Sequence, residues 1–274
     1  ASSLDQTGTL TKNVEDAACV LNAISGHDPM DSNTSKHAVL DYTESLTQDI
    51  QGLRIGVPKE FFGKGLDPQI ERLVKKAIQS LESQGANVVE VSLPMTDYAL
   101  ATYYVLVPCE VSANASRYDG IRYGHSTDSA NNLMETYTKS RFEGFGREVR
   151  RRIMIGTYAL SAGYYEAYYL KAARMRTLIR QDFDRVFNDV DVLVGPTSPV
   201  FAPKIGEFKD PLEFYLADVF TVQCNLAGLP AISVPCGYGN VDGVQLPTGL
   251  HIIGKQFDEE TILRVAHVYE QSVK

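Results

Sequence analysis

Two short apolar runs near the end of the chain, residues 231–234 (Ala-Ile-Ser-Val) and 250–253 (Leu-His-Ile-Ile), constrain the fold more than any other feature. Each is bounded by glycine or proline: Gly228, Pro230, Pro235 and Gly237 around the first, Gly249 and Gly254 around the second. Runs of this length and punctuation read as strands buried on both faces. The segment between them, residues 238–248, is polar and contains glycine, which reads as a loop or ribbon connection. Two such strands form the centre of a sheet on which the earlier chain must pack.

Upstream, Val14, Ala17, Ala18, Leu21 and Ile24 recur at helical spacing behind a Thr11 or Asn13 cap, and Gly26 and Pro29 end the run. Residues 27–49 are polar and read as a surface excursion with little regular structure. Residues 53–57 form a strand stopped by Pro58. Asp67 caps a helix that starts at Pro68, buries Ile70, Leu73, Val74, Ala77 and Leu81, and closes at Gly85. Residues 87–92 are the next strand. Strand, helix and strand with short joints make a βαβ unit, so the two strands are expected to be parallel and the crossover right-handed.

Helical patterning then covers residues 97–120, 131–140 and a long, nearly uninterrupted stretch from Gly146 to about Asn188, where Gly156 and Gly163 imply one or two breaks. The tyrosines of these helices, Tyr158, Tyr164, Tyr165, Tyr168 and Tyr169 among them, read as packing residues with satisfied hydroxyls. A strand over 190–194 enters the tight turn Gly195-Pro-Thr-Ser-Pro199, and residues 201–211 form a loop. Pro211 to about Ala227 reads as helical, and Asp258 caps a last helix. The fold class is therefore α/β.

With 274 residues, 44% of them apolar and 22% charged, the chain has an ordinary globular composition and enough length for a substantial core. No run of about 18 uncharged apolar residues could span a membrane. The opening Ala1-Ser-Ser-Leu-Asp-Gln6 has no signal-peptide pattern, and without an initiator Met it reads as the middle of a longer protein. A net charge of −8 argues against gripping a nucleic-acid backbone, since that needs clustered Lys and Arg. Arg147, Arg150, Arg151 and Arg152 are the local exception, read in bulk as solvated helix charges. Cys19, Cys109, Cys224 and Cys236 fit no zinc or redox spacing and are read as reduced, mostly buried thiols of a cytoplasmic protein.

Several chemistries fall away on spacing. Residues 237–243 (Gly-Tyr-Gly-Asn-Val-Asp-Gly) have one residue too many for a dinucleotide loop and run into polar residues instead of a helix. There is no Walker A sequence and no Gly-x-Ser-x-Gly. His27, His37, His125, His251 and His267 have neither metal-pair spacing nor an acid beside them in sequence, so no metal site is expected.

Asn225-Leu-Ala-Gly-Leu-Pro-Ala-Ile-Ser-Val-Pro235, followed by Gly249-Leu-His-Ile-Ile-Gly-Lys255, resembles the C-terminal core of the amidase signature family. Supporting segments run the length of the chain: Ser2-Ser-Leu-Asp-Gln-Thr-Gly8, Ser116-Arg-Tyr-Asp-Gly-Ile-Arg-Tyr-Gly124, Glu143-Gly-Phe-Gly146, Arg151-Arg-Ile153 and Val194-Gly-Pro-Thr197. Within the family the resemblance is to the glutaminase subunits of tRNA-dependent amidotransferases. It implies a mixed, mostly parallel central sheet with helices on both faces, incomplete at the N-terminus, with residues 1–274 the C-terminal two-thirds of one amidase signature domain.

The family's Ser nucleophile, its bridging Ser and its Lys base sit in segments that precede the point where this sequence opens, so no catalytic residue is expected here. What the resemblance does imply is the substrate-holding side. Arg152 would take the α-carboxylate of glutamine, Asp218 its α-ammonium, and Tyr103 would lie alongside, with Tyr104 the alternative if the register is off by one. A guanidinium forks onto a carboxylate with two charge-assisted bonds, and holding both ends of an amino acid rejects amides that lack them.

No cofactor is implied in this chain. ATP and Mg would be used by the partner B subunit, which also handles tRNA, and a small C subunit completes the complex. Two other readings stay open: a general amidase of the same family, and a non-catalytic binding fragment, in which Arg152 and Asp218 serve only as salt-bridge residues. If an upstream part supplies further strands, residues 1–274 alone expose a sheet edge and an apolar face. Size-exclusion chromatography of these residues should then show self-association, and a monodisperse monomer would contradict it.

Overall fold

The computed structural model describes residues 1–47, 49–63, 65–206 and 215–274. It contains helices α1 (Val14–Ile24), α2 (Pro68–Ser83), α3 (Thr96–Ala115), α4 (Leu133–Gly144), α5 (Arg147–Ala159), α6 (Lys171–Val186), α7 (Val222–Ala227) and α8 (Glu259–Ser272). The strands are β1 (Arg54–Pro58), β2 (Asn87–Val91), β3 (Val192–Pro196), β4 (Ala231–Val241) and β5 (Val244–Gly254). The chain divides into two compact units. One comprises residues 1–5 and 101–177, the other residues 6–100 and 178–274.

The larger unit holds a five-stranded sheet in the order β2-β1-β3-β5-β4. β1 is parallel to β2 and to β3, as the βαβ pattern predicts, while β5 is antiparallel to both β3 and β4. The mixed α/β sheet is thus present, its described pairings split evenly between the two senses rather than mostly parallel. Asn13 and Asp67 cap α1 and α2 through their side chains, accepting from the backbone N–H of Asp16 and Gln69. One face of the sheet (Ile55, Val192, Val194, Leu250, Ile252) shares a core with Ile70, Val74 and Leu81 of α2 and Ile262 and Ala266 of α8. Each fully buried aliphatic side chain there contributes about 2 kcal/mol. Leu193 and Ile253, pointing the other way, are equally buried.

The two apolar runs of the sequence have different fates. Leu250 to Gly254 are buried throughout, in an internal strand. β4 is an edge strand among the described residues, and its Ala231, Ser233 and Pro235 are exposed while Val234 is buried. Of the two readings of the polar segment between them, loop or ribbon, the structure shows the ribbon. It extends both strands into a long hairpin closed at Asp242 and Gly243, whose φ of 52° and 83° match the two-residue turn that suits strand twist.

The smaller unit is helical. The predicted long helix from Gly146 to Asn188 is interrupted once, between Ala159 and a π-helical turn, Glu166–Leu170, that leads into α6. Gly163 lies in that gap. Gly156 does not break the helix: it lies inside α5, where its missing Cβ admits the backbone of Pro108 in α3. The hydroxyls of Ser112 and Thr157 meet at 2.8 Å along the same seam.

A methyl at position 156 would sit on the Pro108 carbonyl, and backbone on both sides leaves it nowhere to go. Gly156→Ala should therefore cost about 1–3 kcal/mol of stability, read as a lowered midpoint in urea unfolding.

Candidate functional site

The Gly156–Pro108 contact sets the geometry of the residues one helical turn earlier on each helix, Arg152 on α5 and Tyr104 on α3. There the Arg152 guanidinium lies 5.5 Å from the centroid of the Tyr104 ring, a cation–π distance. Tyr103 meets Tyr104 edge to face at 5.3 Å. Glu148, one turn before Arg152, accepts from Arg152 Nε at 3.1 Å and, through its other oxygen, from Arg151 Nη1 at 2.8 Å. The Arg152 side chain is 25% exposed, so the carboxylate and the ring hold a half-buried guanidinium in one orientation. Such a group is suited to a carboxylate of a ligand. Of the two tyrosines it is Tyr104, the alternative register, that underlies Arg152.

Asp218 belongs to the larger unit. The sequence placed it on a helix from Pro211 to Ala227; residues 207–214 of that span lie outside the described residues, and residues 217–221 run through turns before α7 begins. The Asp218 carbonyl accepts from the N–H groups of Thr221 and Val222 at 3.0 and 3.1 Å, and its own N–H donates to Tyr215 at 3.1 Å. Two contacts seat this turn on the sheet. Phe220 packs on Phe61 at 5.0 Å, and Phe61 in turn lies on Gly195 of β3. Cys224 of α7 lies 4.0 Å from Nε2 of His251 on β5.

The structure thus brings Arg152, Tyr103 and Tyr104 together in one unit and places Asp218, half-buried, on the sheet of the other. It also shows polar groups that sequence patterns did not mark. Thr197, just past β3, and Ser233 on β4 share a hydrogen bond of 2.7 Å between hydroxyls, and Thr197 Oγ1 donates to the Gly249 carbonyl at 3.2 Å. Both lie in segments that carry the family resemblance, as small, polar residues where strands meet a Gly/Pro turn, and neither was singled out as a site residue. His125 finds an acid that lies 18 positions away: its Nε2 is 2.8 Å from Glu143, whose carboxyl that contact, with a Thr127 hydroxyl, holds below the usual range.

Burial pushes the Cys224 and Cys236 thiols up to about 12, so neither is a ready nucleophile. Cys109 and Cys224 are buried, Cys236 is partly so, and Cys19 is exposed. Among the described residues no group of three His, Cys, Asp or Glu is placed to hold a metal ion, and no helix is long and apolar enough to cross a membrane.

A family model described as Amidase matches residues 1–263. The chain is 56% identical, over 275 aligned positions covering all of it, to the A subunit of glutamyl-tRNA(Gln) amidotransferase from Caldanaerobacter subterraneus subsp. tengcongensis. It is 57% identical to the corresponding A subunit from Geobacillus kaustophilus over 99% of its length. In both comparisons it spans 56% of the relative, just over half. The crystal structure of the glutamyl-tRNA(Gln) amidotransferase A subunit from Thermotoga maritima superposes with a TM-score of 0.77 at 41% identity, over 99% of this chain and 53% of that one. A bacterial aryl acylamidase shares the fold at a TM-score of 0.70 and 23% identity, over 96% of this chain and 52% of that one.

His251 offers a test of the sheet that carries the Asp218 turn. It is buried, its Nδ1 has no hydrogen-bond partner among the described residues, and burial lowers its pKa from 6.5 to about 4. Below pH 6.5 the unfolded imidazole takes up a proton that the buried ring refuses. Stability should therefore fall as pH drops from 6.5 toward 4, by about 3 kcal/mol at most. Urea unfolding of His251→Leu should show a flatter pH dependence across this window than the parent, and an unchanged slope would contradict the assignment.

Proposed function

The chain belongs to the amidase family, and from that premise we propose that it forms the substrate-holding part of a glutamine-hydrolysing amidotransferase subunit. The observation that carries this reading is the held guanidinium of Arg152, found in a chain 54–57% identical to glutamyl-tRNA(Gln) amidotransferase A subunits. In this reading Arg152 takes the α-carboxylate of glutamine, Asp218 takes the α-ammonium, and the Tyr103–Tyr104 pair forms the wall beside them. Holding both charged ends of the substrate orients its side-chain amide toward the nucleophile. It also excludes amides that would leave Arg152 or Asp218 buried against nothing.

We place the nucleophile and its base outside these 274 residues, so the chain alone binds without hydrolysing. The whole subunit forms an acyl-enzyme with glutamine and releases ammonia to a B subunit. That partner uses ATP and Mg to activate Glu-tRNA(Gln) and amidates it to Gln-tRNA(Gln), with a C subunit completing a cytoplasmic complex. The excess of acidic residues on this chain agrees with leaving the tRNA to a partner.

Ammonia release from glutamine should appear only when this chain is extended upstream to the length of its relatives. Arg152→Ala and Asp218→Ala should each then lower kcat/KM by about 100-fold, chiefly through KM, since each strands one charge of the substrate. Glutamine hydrolysis by residues 1–274 alone would overturn the reading, and unchanged KM values in both variants would favour a general amidase.

A further inference from the structure

Gln223, in the first turn of α7, has no solvent exposure at all, an uncommon state for a primary amide. Its Nε2 donates to the carbonyl of Val219 at 3.0 Å, and its Oε1 accepts from the hydroxyl of Thr96 at 3.1 Å. The Val219 carbonyl can only accept, so the amide can stand in one orientation only. Both partners are themselves fixed. Val219 follows Asp218 directly, and Thr96 is buried at the start of α3, where its N–H donates to Leu93 and the neighbouring Met95 N–H donates to Asp182 of α6 at 2.8 Å.

We propose that Gln223 is a positioning residue: its buried amide clamps the Asp218 turn to the start of α3 and so aims the Asp218 carboxylate at the α-ammonium of the substrate. The assignment rests on the glutamine reading above. The bonds of the Asp218 carbonyl run inward, to Thr221 and Val222 of the same segment, and Phe220 and Cys224 seat that segment on the sheet side. The Gln223–Thr96 bond ties it to a second element. An apolar residue would fill the same volume without desolvating an amide, so the polar residue matters for where it points the turn.

The complete enzyme provides the test, through the ratio of kcat/KM for glutamine to kcat/KM for glutaramate, which is glutamine without its α-ammonium. A side chain that only supports the fold lowers both values together. A side chain that aims Asp218 lowers the glutamine value selectively. Gln223→Met keeps the volume and loses both hydrogen bonds, and should reduce the ratio roughly tenfold, through KM. Thr96→Val removes the far anchor alone and should move the ratio in the same direction, which keeps the test intact if Gln223→Met folds poorly. Asp218→Ala is the reference. If it collapses the ratio while Gln223→Met and Thr96→Val leave it intact, the positioning role is overturned and the substrate reading stands. If Asp218→Ala itself leaves the ratio intact, the substrate reading fails.

Discussion

The antiparallel register of β5 on β3 is the constraint from which the larger unit follows. It sets Val192 opposite Gly254 and Gly195 opposite His251, and it changes the sheet from parallel on one side to antiparallel on the other. Because side chains alternate along a strand, this one register sends Val194 and Ile252 to the core under α2 and α8. It sends Gly195 and His251 to the opposite face. That second face is small at β3, where Phe61 lies, and polar near Gly249, where Thr197 and Ser233 meet. A slip of one residue would put His251 in the aliphatic core and a β-branched side chain under Phe61.

The smaller unit depends in the same way on one close approach. Proline inside α3 removes the N–H that would have bonded the carbonyl of Tyr104, and glycine inside α5 lets that part of α3 come into backbone contact. Ion pair and ring then act on Arg152 at a distance that packing has already set. A partly exposed i,i+4 pair such as Glu148–Arg152 contributes about 0.5 kcal/mol alone, too little to hold a guanidinium in one orientation. The tyrosine beneath it supplies the second direction.

Much of the fold was legible before any coordinates. The caps at Asn13 and Asp67, the parallel pairing of β1 and β2 and the placement of β3 follow from signals contained within a few residues. Alternatives stayed open where the outcome depends on a distant partner. The segment 238–248 is polar because the outer part of a hairpin is solvated, and polarity alone does not distinguish a ribbon from a loop. Gly156 carries the same sequence signal whether it breaks a helix or admits a neighbour. For the candidate site the sequence pointed to Arg152, Asp218 and Tyr103, with Tyr104 the alternative, and which tyrosine lies against the guanidinium was decided by packing alone. Gln223 gave no signal, since nothing local distinguishes a buried glutamine from an exposed one.

What this sequence determined by itself is its family, its α/β class and the identity of most elements, because capping, periodicity and Gly/Pro punctuation act over a few neighbouring residues. The tertiary structure alone decided which strand is internal and which lies at the edge, that α5 runs unbroken through Gly156, and that an amide at position 223 reaches back to Thr96. Those outcomes turn on contacts between residues tens to more than a hundred positions apart, where the deciding quantity is the space and hydrogen bonding a partner leaves, and no local pattern encodes it.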